Sequence, residues 1–326
     1  MIPRYDTFVK DNIKCFLCGL KCNKTIDKPA KKRYNNCVWK NNFLRRQTMD
    51  QNKLKELKLK SAEIKLGALE GVYSASSGHP GGSLSISDIL AYLYFEAMNV
   101  DVSNPKWEDR DRLVLSKGHT APGLYAALAA KGFIPKEDLK TLRQADSYLQ
   151  GHPDMKHTPG VDMTSGSLGL GISAACGMAP SAKIRNKNYY TYAILGDGEC
   201  EEGQVWEAAM FAAHKKLDNL CIFVDFNGLQ IDGPVTEVVD PTPIDKKFEA
   251  FNWNVIVIDG HDLEQIDAAV KAAHACMGKP TAIICNCVKG KGVSFMENNV
   301  KWHGSAPNAE QYEQAVNEID AYIATI

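Results

Sequence analysis

Two short stretches of the chain carry residue types suited to holding a metal ion against a phosphate. Gly196-Asp197-Gly198 is one, and Asn227, thirty residues beyond Asp197, is the other. A carboxylate and an amide oxygen are hard ligands of the kind magnesium takes, and magnesium keeps few protein ligands because phosphate oxygens and water fill the rest of its octahedral shell. Gly198 lets the backbone approach a phosphate closely, and a helix N-terminus immediately after it favours negative charge. Taken singly, each stretch has a plainer explanation: Gly-Asp-Gly is more often a tight turn, and Asn227-Gly228 is a common turn pair. The elements around them decide between the two.

Tyr189 to Leu195 reads as a strand, Glu201 to Lys215 as a helix and Leu220 to Phe226 as a second strand. A strand–helix–strand unit is a right-handed crossover, so if the two strands are neighbours, Asp197 and Asn227 emerge side by side at the carboxyl edge of a sheet. Ligands of open α/β folds bind at that edge. Upstream, Leu59, Ala62, Leu66, Leu69 and Tyr73 recur at spacings of three and four and predict an amphipathic helix from Lys53 that stops at Ser76-Ser77-Gly78. A second helix is predicted over Ser87 to Met98, a strand over Leu113 to Ser116, and helices over Pro122 to Lys131 and Ile172 to Lys183. Downstream come a strand over Trp253 to Ile258, a helix over Leu263 to Met277, a strand over Thr281 to Cys287 and a helical pattern from Asn308. Parallel neighbours need a crossover, usually a helix, so this alternation predicts an α/β fold: a doubly wound parallel sheet with helices on both faces. One domain over residues 49–326 is the simplest organisation.

Residues 1–48 have a different character. They hold 12 Lys and Arg against 3 Asp and Glu, which leaves 26 against 36 for the rest, a charge of about +9 in front of a body of about −10. The abrupt change before Met49 predicts a disordered extension or a misassigned start. Cys15, Cys18, Cys22 and Cys37 lie in it, and such spacing can converge on zinc, but two tight pairs or histidines are more usual and the segment has no histidine. Cys176, Cys200, Cys221, Cys276, Cys285 and Cys287 lie in apolar or strand-like surroundings and read as reduced and buried. The formal net charge of −1 gives no electrostatic footprint for nucleic acid. No apolar run approaches the roughly 18 residues of a membrane span, and no secretory signal opens the chain, so a cytoplasmic location and no membrane partner are expected.

With these elements in place, the local words resemble those of one family. Gly196-Asp197-Gly198 followed by Asn227 looks like the thiamine diphosphate signature. Ser77-Gly78-His79-Pro80-Gly81, Ser116-Lys117-Gly118-His119, Gly151-His152-Pro153 and Ser165-Gly166-Ser167-Leu168-Gly169-Leu170-Gly171 occur in the order found in transketolases. The resemblance covers residues 53 to about 310. It implies two-carbon ketol transfer between ketose and aldose phosphates, with thiamine diphosphate and Mg2+ as cofactors. Asp197, Asn227 and the main-chain oxygen of Leu229 would hold the magnesium, and Gly198 would meet the diphosphate. His119 would bond the diphosphate and lie near the donor sugar, while Gly166 and Leu168 would contact the aminopyrimidine ring. His79 and His152 would face the reacting carbon and the donor's hydroxyls, and imidazoles exchange protons with such groups near neutral pH. Without the resemblance, all three histidines read as loop-capping residues.

The sequence departs from the family in two places. Ser-Gly-Ser-Leu-Gly at 165–169 stands where many transketolases have Thr-Gly-Pro-Leu-Gly, and Trp302-His303-Gly304 lacks the second histidine that many members have just upstream. Glu202 and Glu207 match acidic positions of the family's subunit interface, although a solvated helix face explains them equally well. The carboxylate that activates the cofactor belongs, in the family, to a pyrimidine-binding domain C-terminal to this region and contributed across an interface. The resemblance therefore implies a separate partner chain, a C-terminal transketolase subunit carrying that domain, and a two-plus-two assembly. Rival readings are a subunit of a deoxyxylulose-phosphate synthase-like or keto-acid dehydrogenase-like enzyme, or a non-catalytic cofactor-binding regulatory subunit. His79-Pro80-Gly81-Gly82 and Ser116-Lys117-Gly118-His119 favour transketolase over the first two.

Overall fold

The computed structural model describes residues 49–326. The basic extension, with the zinc reading of Cys15, Cys18, Cys22 and Cys37, lies outside the described residues. Helix α1 (Gln51–Ala75) opens the fold, capped by Asp50, whose carboxylate accepts the Asn52 and Lys53 amides, and it ends at Ser76 in the left-handed region with φ 47°. Two short helices follow, α2 (Pro80–Ser85) and α3 (Ser87–Tyr92), the second running into a π-helical turn over Leu93–Ala97. The sequence predicts one helix here, from Ser87 to Met98, and misses α2. Pro80 at the first helical position starts α2. A Cβ at Gly81 or Gly82 would stand 2.8 Å from the Trp302 carbonyl or 2.6 Å from Thr120, so glycine is what lets this turn dock.

The remaining elements are β1 (Arg112–Leu115), α4 (Ala121–Lys131), α5 (Leu170–Ile184), β2 (Thr191–Gly196), α6 (Gly203–His214), β3 (Leu220–Phe226), β4 (Leu229–Gln230), β5 (Gly233–Pro234), α7 (Val235–Val238), α8 (Ile244–Ala250), β6 (Asn254–Asp259), α9 (Leu263–Ala275), β7 (Thr281–Asn286) and α10 (Ala309–Ile323). Five strands form one parallel sheet in the order β1-β2-β3-β7-β6, and β4 and β5 form a separate small antiparallel pair. The doubly wound architecture expected from the alternation is the one observed.

Each central strand feeds two cores because successive side chains point to opposite faces. Tyr192, Ile194, Cys221 and Phe223 join the layer built with α1, α3, α4 and α9, whereas Ala193, Leu195, Ile222 and Val224 join the layer built with α5, α6 and α8. The split follows from handedness. The chain advances across the sheet from β1 to β3 and on to β6 with α5, α6 and α8 on one face, then reverses from β6 to β7, and a right-handed crossover in the reverse direction puts α9 on the other face, where α1, α3 and α4 also pack. A third cluster seats α10 on α1 through Ala315, Ile319, Ala62 and Leu69, with Tyr73 and Tyr312 stacked at 4.2 Å. Among the described residues, no helix is long and apolar enough to cross a membrane.

Candidate active site

Strands β2 and β3 are neighbours, with Gly196 paired to Asp225, so Asp197 and Asn227 leave the carboxyl edge next to each other. Asp197 is buried, and its two carboxylate oxygens accept the Gly198 amide at 2.8 Å and the Gly228 amide at 2.5 Å. These bonds favour the charged form, but burial and the neighbouring Asp225 outweigh them and push its pKa up to about 6. The Asn227 amide nitrogen donates to Asp225 at 2.8 Å, which fixes the side chain so that its oxygen accepts the Leu229 amide at 3.1 Å. The Leu229 carbonyl, on β4, accepts the Lys289 ammonium at 2.7 Å. A Cβ at Gly198 would lie 2.5 Å from the Gln230 side-chain oxygen, so any other residue would fill this cradle.

Asp225 organises the floor. It is wholly buried within an otherwise apolar strand, where its Oδ2 accepts Ser85 Oγ and Lys117 Nζ, each at 2.5 Å, as well as Asn227. Burial works against its charge, but Lys117 and these hydrogen bonds hold the carboxyl below its ordinary value. Lys289 arrives from the end of β7, and burial together with the Lys117 charge lowers its pKa to about 8.

Three histidines meet above this floor. His79 precedes α2, His119 lies in the turn Gly118–Thr120 after β1, and His303 lies in the turn Val300–His303. Their ring centroids are 5.1 Å apart for His79 and His119, 5.4 Å for His79 and His303, and 5.2 Å for His119 and His303. His303, whose role the sequence leaves open, is thus inside the cluster, its Nδ1 2.9 Å from Lys289 Nζ. His152 is exposed at the rim, beside Gly166: a Cβ there would be 3.6 Å from its ring. Burial lowers the histidine pKa values to about 4 for His79, 2 for His119 and 3 for His303, assisted by Arg143, Lys117 and Lys289 respectively. The imidazoles are therefore neutral at pH 7, and Lys117, Lys289 and Arg143 stand around them against the carboxylates of Asp225 and Asp197 in the floor.

Gly166 and Leu168 are half-buried on the loop before α5. Ser165 Oγ ties this loop to the Leu115 carbonyl at 2.6 Å, and a Cβ at Gly118 would be 2.7 Å from that hydroxyl, so the Gly118 and Ser165 backbones lie against each other. Sequence reasoning does not single out Asp225, Lys289 or Arg143 as site residues. Arg143 is a non-glycine residue at φ 59°; it donates to Ser77 Oγ at 2.8 Å and reaches His79 Nδ1 at 3.4 Å. Two of these carry a readable signal: a carboxylate inside the apolar run Leu220–Phe226, and a lysine just past the apolar strand at 281–286. Among the described residues, no group of three or more His, Cys, Asp or Glu is placed to hold a metal unaided.

Comparison with known proteins supplies the family. Residues 57–320 match the family model described as transketolase, thiamine diphosphate binding domain. A 6-deoxy-6-sulfo-D-fructose transketolase subunit SqwG from Clostridium sp. (strain MSTE9) is 48% identical over 252 residues, which is 77% of this chain and 92% of the relative. An apulose-4-phosphate transketolase subunit from Phocaeicola vulgatus is 43% identical over 267 residues, 82% of this chain and 95% of the relative. The solved transketolase from Leishmania mexicana superposes with a TM-score of 0.76 at 32% identity, covering 82% of this chain but 41% of that one. The chain thus spans nearly all of the two single-subunit relatives and less than half of the solved enzyme. It belongs to the transketolase family, as the thiamine diphosphate-binding domain.

Proposed function

We propose that this chain is the diphosphate-binding subunit of a two-chain transketolase that moves a two-carbon ketol unit between sugar phosphates. The observation that carries the reading is the convergence of Asp197, Asn227 and the Leu229 carbonyl at one sheet edge, beside His79, His119 and His303. These groups fit a magnesium diphosphate. Asp197 and Asn227 have oxygen lone pairs left after their internal bonds, and the Leu229 carbonyl already holds a cation, the Lys289 ammonium. Gly198 would leave room for phosphate oxygens, and Gly166 and Leu168 would seat the aminopyrimidine ring. When bound, thiamine diphosphate supplies the nucleophilic carbon that the reaction needs. Lys117 and Lys289 would offset the diphosphate charge, His119 would bond it, and neutral His79 and His152 would exchange protons with the donor's hydroxyls.

A separate subunit carrying a pyrimidine-binding domain completes the site in this reading, in a two-plus-two assembly. Both of the single-subunit relatives bear names that imply a second chain. Leu170 on α5 and Met210 and Phe211 on α6, two helices packed together, are exposed at 53%, 58% and 43%, and Glu207, one turn before Met210 and Phe211, is exposed as well. The six described cysteines are free thiols, four of them buried, which supports a reducing, cytoplasmic setting. The test is to combine the chain with its candidate partner, magnesium and thiamine diphosphate, and to compare pentose phosphate pairs with pyruvate as substrates. Ketol transfer supports the proposal; turnover of pyruvate alone assigns the chain to the decarboxylating rivals, and cofactor binding without turnover of either assigns it to a regulatory role.

A further inference from the structure

Glu199 is a buried carboxylate that the scheme above does not use. It is 2% exposed, and both of its oxygens are occupied by groups from three different segments. Oε1 accepts the Gly169 amide at 2.8 Å and the Ser116 hydroxyl, and Oε2 accepts the Gly196 amide at 3.1 Å. Ser116 directly follows β1, Gly196 ends β2, and Gly169 closes the loop that enters α5. All three partners are buried, so the carboxylate is what satisfies them in the folded chain.

The geometry points to Glu199 as a positioning residue that locks the loop carrying Gly166 and Leu168 to the diphosphate-binding edge; this rests on the reading of those residues given above. Gly169 occupies the N-cap of α5 at φ 82° and has no side chain with which to cap it. Glu199 accepts the amide of the N-cap residue itself, one of the donors left unpaired at a helix start, and places a negative charge beside the N-terminus of this 15-residue helix. The junction is too tight for another arrangement: a Cβ at Gly171 would stand 2.5 Å from Ser116, and one at Gly169 would stand 2.9 Å from Glu202. The Asp197 and Asn227 side chains, by contrast, bond to Gly198, Gly228, Asp225 and Leu229, none of them a hydrogen-bond partner of the Glu199 carboxylate. Loss of the carboxylate therefore frees the ring-side loop while leaving the metal ligands in place.

The separation gives the test. Glu199→Leu keeps the volume and removes both acceptors. Glu199→Gln keeps one oxygen for Gly169 and Ser116, weaker because it is neutral, and turns an amide group toward Gly196. In the isolated full chain, hydrogen exchange at the Gly169 amide is expected to rise about tenfold or more in Glu199→Leu and about threefold in Glu199→Gln. Calorimetric titration should show thiamine diphosphate with magnesium binding about tenfold more weakly to Glu199→Leu, with inorganic pyrophosphate and magnesium changed by less than about threefold. Glu199→Gln should recover most of the thiamine diphosphate affinity. Equal losses for pyrophosphate and thiamine diphosphate would overturn the inference, as would unchanged Gly169 exchange in either variant. If Glu199→Leu does not fold, exchange in Glu199→Gln decides alone. If the two variants exchange as expected while the parent chain, tested together with its partner, binds no thiamine diphosphate, the lock stands and the proposed function falls.

Discussion

Lys289 places its ammonium nitrogen 2.7 Å from the carbonyl oxygen of Leu229, so a positive charge already stands at the oxygen read as a magnesium ligand. Burial, then Lys117, lowers the Lys289 pKa to about 8. The sign follows from linkage: a base whose pKa is lower in the folded state loses protons on folding, so stability rises with pH between about 8 and its ordinary value of 10.5, and the full burden is present at pH 7. Lys289→Met should therefore melt no lower than the parent at pH 7 in the absence of ligand. It should also bind pyrophosphate with magnesium about ten- to a hundredfold more weakly, because a charge-assisted bond is gone. Unchanged pyrophosphate affinity would remove Lys289 from the diphosphate site.

Asp197→Ala and Asn227→Ala should each abolish magnesium-dependent cofactor binding while leaving the far-ultraviolet circular dichroism intact. The two side chains leave adjacent strands and neither belongs to a hydrophobic core, so the loss is local. Binding by the parent chain should also fall with acidity. With the Asp197 pKa raised to about 6, a proton competes with the metal below that pH, and affinity drops about tenfold per unit. His79 and His303, lowered to about 4 and 3, stay neutral through the same window and do not contribute. A titration series giving one affinity from pH 7 to pH 5, or wild-type affinity in either alanine variant, contradicts the assignment.

His152→Ala should behave in the opposite way. His152 is exposed at the rim beside Gly166, outside the triangle of His79, His119 and His303, so its proposed contact is with sugar and not with the diphosphate. The variant should retain thiamine diphosphate within about threefold and lose about a hundredfold or more in kcat/KM with the partner present. Loss of cofactor affinity in its place would move His152 to the cofactor.

The placement of Asp197 and Asn227, the proposed metal ligands, is legible in the sequence because two local rules locate them: strands over Tyr189 to Leu195 and Leu220 to Phe226 are read from apolar runs, and one crossover makes them neighbours. Lys117, Asp225 and Lys289 are not legible in this way. Their meaning comes from convergence of β1, β3 and β7, and no spacing along the chain reports that Asp225 will meet Ser85, 140 residues away. The same limit hides Glu199, which reads as one acidic residue among Glu199, Glu201 and Glu202 until the fold buries it alone. Helix α2 is missed because Pro80-Gly81-Gly82 looks like a turn locally, and only docking against Trp302 and Thr120 makes it helical.

A chain beginning at Met49 should fold and bind cofactor like the full chain. Met49 is 8% exposed within the core that holds α1, and Asp50 caps that helix, so the described fold supplies its own first contacts. Residues 1–48, read as a basic extension, lie outside the described residues. Equal melting temperatures and equal calorimetric affinities are expected. Stoichiometric zinc in the full chain, combined with instability of the shortened one, would favour a zinc module at Cys15, Cys18, Cys22 and Cys37.

The chain alone should be catalytically inert. Activation of thiamine diphosphate needs a carboxylate that protonates the aminopyrimidine nitrogen, and the carboxylates of this chain near the ring-side loop are ill placed for that. Glu199 touches the Gly169 amide, but both of its oxygens are already taken by Ser116, Gly169 and Gly196. Glu202 and Glu207 are exposed at the start and on the outer face of α6, the helix that follows the diphosphate loop. Leu170, Met210 and Phe211 stand exposed beside them, a surface that a second chain would cover. In the proposed two-chain enzyme a partner docking there would cover the exposed His152 and would bring its own carboxylate to the ring. Purified chain with magnesium, thiamine diphosphate and a ketose donor should therefore show ketol transfer at least about a hundredfold below the mixture with partner, the usual scale for loss of a proton-transfer group. Met210→Glu should break the complex in sedimentation while leaving the fold of the single chain unchanged, since Met210 is 58% exposed in it. Clear turnover by the lone chain would refute the two-chain reading.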